Sequence, residues 1–100
     1  MMVIEISGVS GMNDVWSALS DATRREILAL LRQGDMTAGE IADRFSLSKP
    51  TVSHHLNVLK QAGLIDGEKR AQTITYRLNT TVFQDFMRSV AALFDRGNEE

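Results

Sequence analysis

Pro50, Ser53, His54, Asn57 and Gln61 fall on one side of a single helix at about 100° per residue, with Thr51 and Val58 on its flank. These are short hydroxyl, imidazole and amide groups. On a helix entering a DNA major groove end-first, groups of this reach meet base edges and hydrogen-bond to them. An ordinary solvated helix face carries Glu and Lys, whereas this stretch has no acid between Asp43 and Asp66. Catalysis is a poor use of the same residues. Ser53 and His54 point about 100° apart, so the imidazole is badly placed to activate the hydroxyl. The chain has no paired carboxylates suited to a pocket and no Gly-rich phosphate loop, so it is not read as an enzyme.

The elements that must position this face lie in Thr37 to Gly63, TAGEIADRFSLSKPTVSHHLNVLKQAG. Thr37 followed by Glu40 is a capping box, and Ile41, Ala42 and Phe45 give the first helix an apolar face. Ser46-Leu47 interrupts. Ser48 caps a second helix, Pro50 sits in its first turn where a missing N–H costs little, and Gly63 ends it in a left-handed conformation. Val52, His55, Leu56 and Leu59 form the inner side, with His55 read as a core-side histidine bonded to backbone.

Leu64 to Leu78 reads as a β-hairpin. Ile74, Tyr76 and Leu78 alternate with Thr73, Thr75 and Arg77, the period of a strand with one face buried. Lys69, Arg70 and Gln72 fall at or near its tip, where a hairpin following such a helix acts as a wing; contacts of that kind position the protein rather than specify sequence. Upstream, Asn13 or Asp14 caps a helix with Met12, Val15, Trp16 and Leu19 on one side. Asp21 caps the next, ATRREILALLRQ, with Ile27, Leu28, Leu30 and Leu31 inward and Gly34 as its stop. Arg24 and Arg25 read as solvated, with a phosphate contact as the alternative. The last helix, Thr81 to Arg96 with Asn79, Thr80 or Thr81 as its cap, carries Phe83, Phe86, Met87, Val90, Leu93 and Phe94 in one stripe. That is more apolar surface than a small core needs, which points to a two-fold dimer packed through the first and last helices.

One hundred residues make one domain with a modest core. The net charge of −2 hides an asymmetry: Arg44 to Arg77 holds six basic and two acidic residues, a local +4, against −6 elsewhere. Local field decides where phosphates dock. The absence of cysteine removes disulfides, thiol sensing and thiolate metal sites, and fits a reducing compartment. No apolar run approaches the roughly 20 residues of a membrane span, and MMVIEISGVSGM is a poor signal peptide, so cytoplasm is expected without membrane insertion. Residues 1–12 read either as a mobile arm or as a stretch upstream of a start at Met12; 13–96 form the domain and 97–100 a frayed tail.

SALSDATRREILALL, MTAGEIADRFSLSKPTVSHHLNVLKQAGLI and the hairpin ending YRLN together resemble the ArsR family of bacterial winged helix-turn-helix repressors over Asn13 to Phe94. The GDMTAGEIADRF and LNTTVFQD stretches are most similar to its SdpR subgroup of autorepressors. The resemblance implies a mainly α fold with a small β-hairpin, in the order four helices, two strands, one helix. It further implies a homodimer through the terminal helices that represses by binding an operator dyad in double-stranded DNA. Family contacts map onto Lys49, Pro50, Ser53 and His54 and onto the wing at Lys69, Arg70 and Gln72; the helical face adds Thr51 and Asn57. Metal-sensing members carry Cys-x-Cys where this chain has Thr37 and Gly39, and others use Asp and His on the last helix, where Asp85 stands without a histidine. His54 and His55 diverge and are poor joint ligands, so no metal or other cofactor is expected. A winged-helix protein-interaction adaptor is the alternative reading. The releasing signal stays open among a small apolar ligand, a sequestering protein partner and simple autoregulation.

Overall fold

The computed structural model describes residues 14–98, with side-chain surroundings to residue 95. The expected arm over 1–12, the Asn13 cap and Met12 therefore lie outside the described residues. The elements are α1 (14–19), α2 (Ala22–Gln33), β1 (Met36–Thr37), α3 (Ala38–Asp43), α4 (Lys49–Gln61), β2 (Ile65–Arg70), β3 (Thr73–Leu78) and α5 (Thr80–Asn98).

Local hydrogen bonds start most of these helices. Asp21 Oδ2 accepts the Arg24 N–H at 3.0 Å, and Asn79 Oδ1 accepts the Val82 N–H at 3.2 Å. The Thr37 capping box closes in both directions: Thr37 Oγ1 accepts the Glu40 N–H at 3.1 Å, and Glu40 Oε1 accepts the Thr37 N–H at 2.9 Å. α4 ends in a Schellman turn. Gly63, at φ 80°, donates to the Lys60 carbonyl and Leu64 to that of Leu59, while the Leu59 and Leu64 side chains are both fully buried. Gly34 stops α2 differently from expectation: its φ of 161° is extended rather than left-handed. α5 begins one residue before and ends two residues after the expected limits.

The hairpin forms with Ile65 opposite Leu78 and Arg70 opposite Thr73. A third strand adds to the expected two. β1 pairs antiparallel with β3, Met36 against Tyr76 and Thr37 against Thr75, giving the order β1-β3-β2. Gly67 faces Tyr76; a Cβ there would lie 3.2 Å from both the Tyr76 ring and Ile74 Cγ2, so the ring crosses the ribbon only because β2 has no side chain at that point. Ile74 departs from its expected burial. It is exposed, because the ribbon has run past the edge of the core before reaching its tip.

The core joins Val15 and Ala18 of α1, Ile27, Leu28 and Leu31 of α2, Ile41 and Ala42 of α3, Val52, Leu56 and Leu59 of α4, Leu64, Ile65, Tyr76 and Phe86. Leu30, expected inside, is only half-buried. Each fully buried aliphatic side chain contributes about 1.5–3 kcal/mol relative to exposure, so Val52, Leu56 and Leu59 alone hold α4 firmly by one side.

The apolar residues expected to form one outward dimer face are divided by the structure. Val15 and Phe86 are buried in the chain's own core, and Leu19, Phe83 and Val90 pack against it. Trp16, Met87, Leu93 and Phe94 stay outside, at 51, 48, 65 and 69% exposure. The Trp16 ring meets Phe86 edge-on, with centroids 5.0 Å apart and planes at 75°.

Candidate nucleic-acid interface

α4 is anchored by Val52, Leu56 and Leu59, which turns its other side outward along its whole length. Lys49, Pro50, Thr51, Ser53, His54, Asn57 and Gln61 are all exposed. The face inferred from helical spacing is therefore the free face of this helix. Its N-terminus is finished by Ser48, whose Oγ accepts the Thr51 N–H at 3.3 Å and lies 2.9 Å from Thr51 Oγ1. Thr51 thus begins with its hydroxyl engaged, whereas Ser53, His54 and Asn57 make no side-chain hydrogen bond among the described residues. The positive end of the helix dipole and Lys49 lie at the same end, favouring an approaching phosphate.

The wing adds charge unevenly. β2 and β3 join through Ala71-Gln72, with Ala71 at φ 56°, a left-handed conformation that favours glycine. Pairing puts Lys69 opposite Ile74 and Arg70 opposite Thr73, so the two basic side chains leave opposite faces of the ribbon. Lys69 has no ion pair among the described residues. Arg70 bonds Glu68 Oε2 through Nε at 3.3 Å and Nη2 at 3.2 Å, while Arg77 Nη2 bonds Glu68 Oε1 at 2.9 Å. These pairs are exposed and worth little in water. They leave Arg70 free to exchange Glu68 for a phosphate.

Two expectations change. His55 is half-buried as foreseen, but its partners are side chains rather than backbone: Nδ1 lies 3.2 Å from Arg24 Nη1 and 3.9 Å from Asp21 Oδ2. Arginine only donates, so Nδ1 accepts; the longer separation is an electrostatic neighbour rather than a hydrogen bond. Arg24 and Arg25, read as solvated, are tied to the end of α1. Arg24 donates to the carbonyls of Ala18 and Ser17 at 2.8 and 3.1 Å, and Arg25 to Leu19 at 2.8 Å. The Asp21 carboxyl is held below its ordinary value, first by the Arg24 N–H it accepts and further by the neighbouring guanidinium charge, with desolvation acting the other way. Nothing in the sequence links residues 24 and 55; only the cap at Asp21 was foreseeable.

Thr37 is committed to its capping box, and Asp85 accepts from Arg88 at 2.8 Å. Among the described residues no group of three His, Cys, Asp or Glu side chains is placed to hold an ion, and no helix is long and apolar enough to cross a membrane.

The profile described as "Bacterial regulatory protein, arsR family" matches residues 21–66, the span from the α2 cap to the start of β2. The transcriptional repressor SdpR of Bacillus subtilis is 52% identical over 89 residues, 89% of this chain and 99% of its own. The chain belongs to the ArsR family. This ArsR-family protein is a DNA-binding transcription regulator built as a winged helix-turn-helix. It is also 30% identical to the transcriptional activator HlyU of Vibrio cholerae, over 82% of this chain and 76% of that one. In three dimensions it is similar to an ArsR-like transcriptional regulator from Rhodococcus sp. RHA1, with a TM-score of 0.83 and 29% identity over 94% of this chain and 86% of that one.

Proposed function

We propose that the protein is a homodimeric repressor that reads an operator palindrome with two copies of α4 and has no metal-sensing site. The observation that carries the reading is the outward side of α4: polar, acid-free and exposed from Lys49 to Asn57, while its opposite side is locked into the core. Ser53, His54 and Asn57 are the base-reading groups, Lys49, Pro50 and Thr51 the entry, and Lys69, Arg70 and Gln72 the backbone contacts of the wing. Repression rather than activation is supported by the 52% identity to SdpR, against 30% to HlyU.

Dimerisation is supported by the exposed Trp16, Met87, Leu93 and Phe94, an apolar surface on the terminal helices. Two-fold pairing through it sets the recognition helices about 34–36 Å apart, one turn of duplex. The side of α4 carries none of the aromatic anchors that mark protein hot spots, which disfavours an adaptor.

The test is selection of bound duplexes from a random pool, followed by titration of the selected site and a scrambled one at two salt concentrations. A dyad with two protomers per site and an affinity falling steeply with salt is expected. Binding of one protomer to a site without symmetry, or salt-insensitive binding, would overturn the reading. Added zinc should change neither the affinity nor the melting temperature.

A further inference from the structure

α4 is fastened to the rest of the molecule in two ways. Val52, Leu56 and Leu59 bury apolar surface, which holds the helix down without any directional bond. The one hydrogen bond between an α4 side chain and a side chain of another helix, among the described residues, is Arg24 Nη1 to His55 Nδ1 at 3.2 Å. Hydrogen bonds weaken steeply off-axis, so this contact sets direction. The same guanidinium grips α1 through Ser17 and Ala18, and its backbone N–H is held by Asp21. Its planar fork thus bridges α1 and α4, while the α2 cap holds the backbone of the same residue. α1 also carries Trp16, part of the exposed apolar surface.

We propose that Arg24, acting through His55, is a positioning residue that sets the angle of the recognition helix against α1, and so the half-site spacing that the dimer accepts. The inference rests on the dimeric operator-reading function proposed above. A tilt of about 10°, acting over half the 34–36 Å between half-sites, displaces α4 by about 3 Å, close to the 3.4 Å rise of one base step. A small loss of direction at this node therefore blurs spacing, while the contacts of each helix with its own half-site survive.

The experiment compares wild type, His55→Leu, His55→Gln and Arg24→Lys on the selected operator, on versions with the spacer lengthened or shortened by one base pair, and on an unrelated duplex. Thermal midpoints are measured alongside. Leucine fills the site but accepts nothing; glutamine restores an acceptor; lysine keeps the charge but loses the fork. For His55→Leu and Arg24→Lys the expected result is about tenfold weaker binding at native spacing, the scale of one charge-assisted hydrogen bond. The penalty for altered spacing should shrink, and affinity for unrelated duplex should stay within about twofold. His55→Gln should recover most of the loss. If His55→Leu and Arg24→Lys keep the native spacing penalty, or lose specific and unrelated binding together in step with their melting temperature, the positioning role is overturned. A wild-type protein with no spacing preference would sink the dimeric reading, and this inference with it.

Discussion

The protein exposes two surfaces that water alone does not explain, and they are opposites. The outer side of α4 offers hydroxyls, an imidazole and an amide without one acid; the outer side of α1 and α5 offers Trp16, Met87, Leu93 and Phe94. Polar groups on α4 cost nothing while hydrated and gain specificity when they meet matching donors and acceptors. The apolar surface gains simply by being covered, whatever the fine geometry. One surface is thus suited to discriminate and the other to adhere, and the core between them, with the Arg24 node, relates their orientations.

The largest effect should come from inverting the adhesive surface. Leu93→Asp combined with Phe94→Asp should leave the helical circular dichroism intact and shift sedimentation from dimer to monomer at micromolar concentration. Two hot-spot losses of about 2 kcal/mol each correspond to several-hundred-fold weaker association. An unchanged sedimentation coefficient would mean that these side chains face no second copy.

The complementary change on α4, Ser53→Ala with His54→Ala, should leave sedimentation alone and reduce discrimination between operator and scrambled duplex by about 1–3 kcal/mol per lost base contact. Lys69→Ala should instead weaken binding to all sequences about equally and reduce the slope of log affinity on log salt by about one. If the two changes gave the same pattern, the distinction between a reading helix and a positioning wing would fail.

Smaller effects probe the scaffold between the surfaces. Asp21→Ala removes the α2 cap and should cost about 1 kcal/mol near neutral pH. Because the Asp21 carboxyl is held below its usual 3.8, its contribution is present above that value and lost as the pH falls through the lower folded-state value. Urea midpoints of wild type and variant should therefore converge in acid; a gap that persisted there would point to a cause other than the ionised cap.

The smallest change is expected at the wing. Ala71→Gly relieves a left-handed alanine, worth about 1–2 kcal/mol, against a backbone-entropy loss of about 0.5–1 kcal/mol. A net gain of roughly half a kcal/mol should follow in urea unfolding, with sequence discrimination untouched.

Much of this was legible before any coordinates. The Thr37–Glu40 box, the Ser48 and Asp21 caps and the Gly63 stop all rest on contacts between near neighbours in the chain, so residue types at short spacing disclose them. The free face of α4 was legible for the same reason, because helical geometry alone assigns Val52, Leu56 and Leu59 to one side and Ser53, His54 and Asn57 to the other. β1 was not: two residues are too few to show a period, and they form a strand only because Tyr76 and Thr75 pass alongside.

Thus the sequence determined where helices begin and end, which sides of them are apolar, and which groups face away from the core, since each follows from a repeat of a few residues. Tertiary structure alone decided that Phe86 turns inward under Trp16 while Phe94 stays outside, that Lys69 and Arg70 leave opposite faces of the wing, and that Arg24 meets His55 across 31 residues. Those outcomes depend on how whole elements dock, and docking is set by the summed shape of the core rather than by any local spacing.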